Sequence, residues 1–245
     1  LNRRLCLVAG ASGRLGGEIA RELARRGWAV GLHWHSRREA ASAAARDCRT
    51  SGARAFELQA DLRSPEAAEE LVSALEREAG VAPLLLVVAS GISLDAPFLR
   101  TAEADWDESI AVNCSGPARL LRACARRWVL APGGGQAILL GSHAAVTGRE
   151  GGAAYSASKA ALVGLARSVA RELGGSGVRV NVVLPPFVPE SGMGAGASPG
   201  FAEEARRLSV LGRHGSAREL ARFVADLAET EGVSGQVLAA DSRIA

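Results

Sequence analysis

The sequence predicts an α/β protein: a doubly wound parallel sheet with helices on both faces, in a single domain spanning 1–245. Three observations predict it. Short apolar runs alternate with helical patterns along the whole chain. The run Pro83–Ser90, PLLLVVAS, is apolar throughout, as in a strand covered on both faces. Gly10, Gly13 and Gly16 punctuate the first strand-to-helix connection.

The elements follow in order. RLCLVAG (Arg4–Gly10) reads as the first strand, and Leu15, Ile19 and Leu23 recur every four residues on one helix face. WAVGLHW is the second strand, and EAASAAARDCRTS is a helix ending near Gly52. ARAFELQAD is the third strand, and Ser64-Pro65 starts a helix with proline in its first turn. After the fourth strand comes a helix over Asp105–Trp128, then the strand QAILLGS. The helix carrying Tyr155, the strand VRVNVVLP, a helix over Ala217–Ala228 and the strand GQVLAAD complete the pattern. Pro185–Gly200, rich in Gly, Pro, Ser and Ala, is expected to be a mobile loop.

Composition narrows the function classes. A chain of 245 residues, 48% hydrophobic, has material for a substantial core. No apolar stretch is long enough for a membrane span. The basic-then-apolar start LNRRLCLVAG runs directly into the glycine turn, so it reads as a strand rather than a leader. Cys6, Cys48, Cys114 and Cys124 show no C-x-x-C spacing, so reduced packing thiols and a cytoplasmic setting are expected. The net charge is +3, and the arginine pairs are scattered, as on solvated helix faces. Neither a nucleic-acid partner nor a metal is expected.

Glycines at Gly10, Gly13 and Gly16 permit a tight turn and close backbone approach to a pyrophosphate at a helix N-terminus, the Rossmann arrangement. The second strand ends LHWHSRRE, with no acid before Glu39 to accept ribose hydroxyls. His33, His35, Arg37 and Arg38 gather there, Trp34 stands where an acid is usual, and Arg14 adds a cation within the turn. Guanidinium forks suit a 2′-phosphate, which favours NADP(H). Asp61 is placed to accept from an adenine amine.

Tyr155 is the only tyrosine, and Lys159 is the one lysine among 29 Lys and Arg residues. Four residues apart on a helix, they share a face. A free phenol has a pKa near ~10, so ionising it at pH 7 costs about 4 kcal/mol. A nearby ammonium lowers that cost and yields an acid–base group for a carbonyl or alcohol oxygen.

YSASK, together with the glycine turn, resembles the short-chain dehydrogenase/reductase family over essentially the whole chain. Ser142 in ILLGSHAAVTG and Asn113 in SIAVNCSG match the family's catalytic serine and asparagine. VRVNVVLPPFV and SVLGRHGSARELARFVADL match later segments. The resemblance implies that Tyr155 protonates the carbonyl oxygen, Ser142 polarises the carbonyl, and Lys159 holds the nicotinamide ribose and lowers the phenol's pKa. Asn113 would hold a relay water. It also implies cofactor contacts from Gly10, Ser12, Gly13, Arg14, Leu15, Gly16, His33, Trp34, Arg37, Asp61, Leu62, Ala89, Gly91, Tyr155, Lys159 and Val188, and a homotetramer. Ala160, Ala161, Leu162 and Leu165 would either pair across a two-fold axis or fill the core.

Several segments depart from the family pattern. GASGRLG replaces G-x-x-x-G-x-G, and VASG (Val88–Gly91) replaces NNAG. Pro185-Pro186 replaces PG, and Glu190 stands where threonine is usual. Arg14 and the His33-Trp34-His35 pattern resemble pteridine reductases. The implied activity is NADPH-dependent reduction of a ketone to an alcohol, most similar to 3-oxoacyl-[acyl-carrier-protein] reductases of fatty acid biosynthesis. The alternatives are a pteridine or quinone-type reductase, or a non-catalytic NADP-binding regulatory protein. Docking of an acyl carrier protein is doubtful, because LAPGGGQ and LGGSGV carry no cation and Arg126, Arg127 and Arg171 lie inside helices.

Overall fold

The expected strands form, and most of the expected helices with them, in a computed structural model that describes residues 4–195 and 198–243. The chain runs β1 (Leu5–Ala9), α1 (Arg14–Arg25), β2 (Ala29–Trp34), α2 (Arg38–Thr50), β3 (Ala55–Gln59), α3 (Ala67–Ala79) and β4 (Leu85–Val88). It continues through α4 (Glu103–Ile110), α5 (Gly116–Trp128), β5 (Gly135–Leu140), α6 (Ala144–Thr147), α7 (Ala153–Leu173) and β6 (Val178–Leu184). It then forms α8 (Gly192–Ala195), α9 (Pro199–Leu208), α10 (Ala217–Glu229) and β7 (Val237–Ala239).

The strands form one sheet in the order β3-β2-β1-β4-β5-β6-β7. Every pair is parallel. The chain winds outward from β1 to β3, then returns to lay β4 against β1. That reversal opens a crevice beyond the C-terminal ends of β1 and β4, where open α/β sheets bind ligands.

Side chains alternate across the sheet. Leu5 and Leu7 of β1 join a core layer with residues of α3, α5 and α7. Cys6 and Val8 point the other way, to a layer with α1, α2 and α10. All four cysteines are free thiols. Burial pushes Cys48 up to about 11 and Cys124 up to about 12, and raises Cys6 further still. These thiols pack, and burial disfavours the thiolate, the reactive form.

Four local features differ from expectation. First, α3 begins at Ala67, because Ser64 donates to the Glu66 carboxylate at 3.0 Å instead of capping, which leaves Pro65 in the preceding turn. Second, Asp105–Trp128 is not one α-helix. It begins at Glu103, and a π turn at Ala111–Ser115 separates α4 from α5, with the Gly116 N–H bonding the Ala111 carbonyl five residues back. Third, Pro185–Gly200 contains α8 and the start of α9, whose Ser198 caps the Phe201 N–H at 3.2 Å; Gly196 and Ala197 lie outside the described residues. Fourth, the α7 stripe divides: Leu162 is core, Leu165 packs beside it, and Ala160 and Ala161 are exposed.

Asn181 in the middle of β6 is fully buried, and both ends of its amide are used. It donates to the Val233 carbonyl at 2.8 Å and accepts from the Gln236 N–H at 3.0 Å, which fixes the α10–β7 connection. Asn181→Leu strips two part-buried backbone groups of their partner. The expected loss is roughly 2–4 kcal/mol of unfolding free energy in urea titrations; a loss within error would show that water replaces both bonds.

Candidate active site

Helix α7 brings Tyr155 and Lys159 into the interior on one face, with 8% and 3% of their surface exposed. The Lys159 ammonium donates to the Leu140 carbonyl, at the end of β5, at 2.9 Å. Among the described residues no carboxylate pairs with it, and burial pushes its pKa down to about 8. Gly91 lies against it: a side chain there would begin 3.2 Å from Nζ and 3.1 Å from Asn113 Oδ1.

Asn113 lies within the π turn, fully buried. Its Oδ1 accepts from the Ile92 N–H at 2.9 Å, and its Nδ2 donates to the Ile92 carbonyl at 2.9 Å and to Ser158 Oγ at 3.0 Å. Ser158 in turn donates to the Tyr155 carbonyl at 2.7 Å. The side chain therefore clamps the β4–α4 connection to α7. Both Nδ2 hydrogens are used, and Oδ1 keeps one acceptor site.

Ser142 follows β5, and its hydroxyl accepts from the Ala144 N–H at 3.2 Å. Burial raises the Tyr155 pKa and outweighs the pulls of the Ser142 hydroxyl and the Arg149 guanidinium toward the phenolate. Arg149 was not singled out in the sequence. It lies six residues before Tyr155 among Gly148, Gly151 and Gly152, where a cation reads as loop surface. Its guanidinium stands 5.6 Å from the Tyr155 ring centroid.

The glycine turn is tight. Gly10 has φ +80°, and a Cβ there would stand 2.7 Å from the Ser90 backbone; one on Gly16 would stand 2.4 Å from the Gly10 carbonyl. The Gly13 N–H bonds the Gly10 carbonyl at 2.9 Å. Ser12 and Leu15 are half-buried beside it. His33 holds this turn. Its Nδ1 accepts from the Gly10 N–H at 3.2 Å, so its Nε2 is the donor to the Ala60 carbonyl at 3.1 Å. Burial pushes its pKa to about 4, which keeps the ring neutral.

Asp61 is ion-paired at the surface. Both of its oxygens accept from Arg63, and its pKa falls to about 2. Arg14 and Arg37, by contrast, are exposed and make no ion pair among the described residues. The Arg37 guanidinium lies 3.7 Å from where a Gly13 side chain would begin. Trp34 is half-buried at the end of β2, and Leu62 is buried. Ala89 N–H bonds the Ala9 carbonyl at 2.9 Å. The Val188 carbonyl accepts from the Ser191 N–H and hydroxyl at 3.0 and 2.8 Å, which leaves only its N–H for a ligand. Glu190 is exposed.

This set fits a dinucleotide: a backbone cradle that side chains would fill, two unpaired guanidiniums, and a buried Ser90 hydroxyl with no protein partner. Residues 9–242 match the family model described as enoyl-(acyl carrier protein) reductase. The 3-oxoacyl-[acyl-carrier-protein] reductase of Staphylococcus aureus is 30% identical, with 95% of this chain and 94% of that protein covered. A short-chain type dehydrogenase/reductase of Picea abies is 32% identical, covering 97% and 91%. A dehydrogenase/reductase structure from Sinorhizobium meliloti superposes with a TM-score of 0.90 at 35% identity, covering 98% and 94%.

The chain belongs to the short-chain dehydrogenase/reductase family. Membership makes it an oxidoreductase of the NAD(P)(H)-using kind. Among the described residues, no helix of this short-chain dehydrogenase/reductase is long and apolar enough to cross a membrane.

Lys159 gives a stability prediction. Unfolded lysine keeps its proton up to about 10.5 and the buried one only up to about 8. Between those values the unfolded chain binds more protons, so stability rises with pH. The free-energy difference between wild type and Lys159→Met, without cofactor, is expected to move toward the wild type by about 3 kcal/mol from pH 7 to pH 11. A pH-independent difference would contradict the charged, buried ammonium.

Proposed function

We propose that this short-chain dehydrogenase/reductase reduces a ketone carbonyl to an alcohol with NADPH, on 3-oxoacyl thioesters or related small ketones. The observation that carries the reading is the buried pair Tyr155 and Lys159, one turn apart on α7, with the Ser142 hydroxyl beside the phenol. A bound nicotinamide supplies the hydride. Ser142 donates to the carbonyl oxygen and Tyr155 gives it the proton, so carbon gains hydride and oxygen gains hydrogen. Lys159 holds ribose hydroxyls and Asn113 holds the floor of the site in register.

The preference for NADPH rests on Arg14 and Arg37, both unpaired beside the glycine turn, with no acid at the end of β2. The named S. aureus relative supports the 3-oxoacyl class. The pteridine alternative loses one of its supports, because His33 is a buried neutral brace. Delivery by a carrier protein is disfavoured: Arg127 is spent on Glu69, Glu76 and Ser73 of α3, and Arg126 leans to Glu69. We also read the assembly as a homotetramer, with exposed Ala160 and Ala161 on α7 allowing close helix approach. Light scattering at micromolar concentration checks it, and a monomer refutes it.

The deciding assay follows NADPH oxidation with ketoesters, short oxoacyl thioesters, quinones and pterins. Turnover is expected on the thioesters, and Tyr155→Phe should lower it by about 10²–10⁴ while NADPH still binds. Replacing Arg14 or Arg37 with Gln should reduce the NADPH preference about tenfold each. NADPH binding with no turnover on any substrate would favour the regulatory alternative, and a preference for NADH would sink the cofactor reading.

A further inference from the structure

Arg149 is fastened beside Tyr155. From the α6–α7 turn its guanidinium donates to both oxygens of Asp95, with Nη1 to Oδ2 at 2.8 Å, and to Ser93 Oγ at 2.9 Å. Ser93 also donates to Asp95 at 2.6 Å, so the three form a closed set. The Ala96 N–H bonds the Gly151 carbonyl at 2.9 Å and ties the same two loops together through their backbones. A planar fork gripped this way has little freedom left. The guanidinium carbon lies 5.6 Å from the Tyr155 ring centroid and 5.9 Å from that of Phe201 on α9.

The charged groups near the phenol are few. Arg149 comes from the α6–α7 turn, Asp95 from the β4–α4 connection, and Lys159 from α7 itself, with its ammonium bound to Leu140. Ser142 supplies a neutral hydroxyl and α9 an aromatic ring. The Arg149–Asp95 pair has no net charge, so its effect on the phenol depends on which end is nearer.

We propose that Arg149 is a positioning residue for the catalytic proton: Asp95 and Ser93 lock its guanidinium against Tyr155, where its charge favours the phenolate. The proposal rests on the reading of Tyr155 as the proton carrier. The pulls on the phenol agree in sign and order, since Arg149 lowers its pKa more than Asp95 raises it. The aromatic contact to Phe201 also links this charge to α9, so the same residue connects the proton-bearing turn to the segment beyond β6.

Tyr155 is the only tyrosine in the chain, so the near-ultraviolet absorbance of tyrosinate reports its ionisation directly. The titration needs neither cofactor nor substrate, and it therefore stands or falls separately from the proposed reaction. It is run on wild type, Arg149→Met, Arg149→Lys and Asp95→Asn, with circular dichroism confirming the fold at each pH. Arg149→Met should move the midpoint up by about half a unit to one unit, Asp95→Asn should move it down, and Arg149→Lys should fall between wild type and Arg149→Met. The downward shift of Asp95→Asn stays readable even if alkaline unfolding or poor folding hides Arg149→Met. Unmoved midpoints, or shifts of the two variants in the same direction, would overturn the proposal. So would an effect of Arg149→Met confined to KM for anionic substrates, which would make Arg149 a substrate ligand.

Discussion

An ammonium buried without a carboxylate is the constraint around which this site is arranged. Lys159 has lost its water and gained one backbone carbonyl, Leu140, as its acceptor. A carboxylate partner would have stabilised the charge and also fixed it away from a ligand's hydroxyls. Neutral groups do the supporting instead. The end of β5 presents a carbonyl, Gly91 leaves room that any side chain would fill, and the Asn113 amide braces Ile92 and Ser158 nearby. The π turn belongs to the same solution. The extra residue it inserts into the helical ladder places Asn113 in contact with both the β4–α4 connection and α7.

The floor and the mouth of the site are built from different physics. The floor around Lys159 is made of neutral groups, where an unpaired buried group is costly, and both polar atoms of the buried Asn113 amide have partners. The mouth carries a charge pair, Arg149 and Asp95, each partly exposed. A surface pair of this kind contributes little to stability. Its effect is local and electrostatic, exerted on a phenol that burial has already pushed away from ionisation. Tyr155 therefore sits between a desolvated interior that favours the neutral hydroxyl and a fixed cation that opposes it.

Most of the sheet was legible because parallel strands covered on both faces must be apolar throughout, and runs such as Pro83–Ser90 have few other uses. The glycine turn and the Tyr155–Lys159 spacing were legible because each imposes a local geometric demand. What escaped reading depended on which partner each side chain takes in the folded chain, whether near or distant in sequence. His33 looked like a cation until the Gly10 N–H and Ala60 carbonyl claimed its two nitrogens. Asp61 looked free until Arg63, only two residues on, folded back onto it. Arg149 finds Asp95 across 54 residues, a pairing no spacing announces. The π turn leaves no mark on the pattern of SIAVNCSG, and α8 and α9 are short helices in a segment whose glycines and prolines read as loop.

The adenosine end of the crevice shows why a cluster of charges has to be sorted by partner before its sign means anything. By composition, the edge formed by β2, β3 and their following turns carries both cations and acids. The acids of β3 and its end are already neutralised: Asp61 by Arg63, and Glu57 by the Ser42 hydroxyl and Arg49. The histidine at the base of the turn is neutral. Arg14 and Arg37 remain with no counterion among the described residues, one within the glycine turn and one reaching toward Gly13. Each pairing takes up one cation with one acid, so the net charge is unchanged, but the two unpaired guanidiniums stand where the helix N-terminus already favours an anion. A cofactor with a further phosphate near the ribose places its charge in their field, and one without it leaves two guanidiniums unpaired.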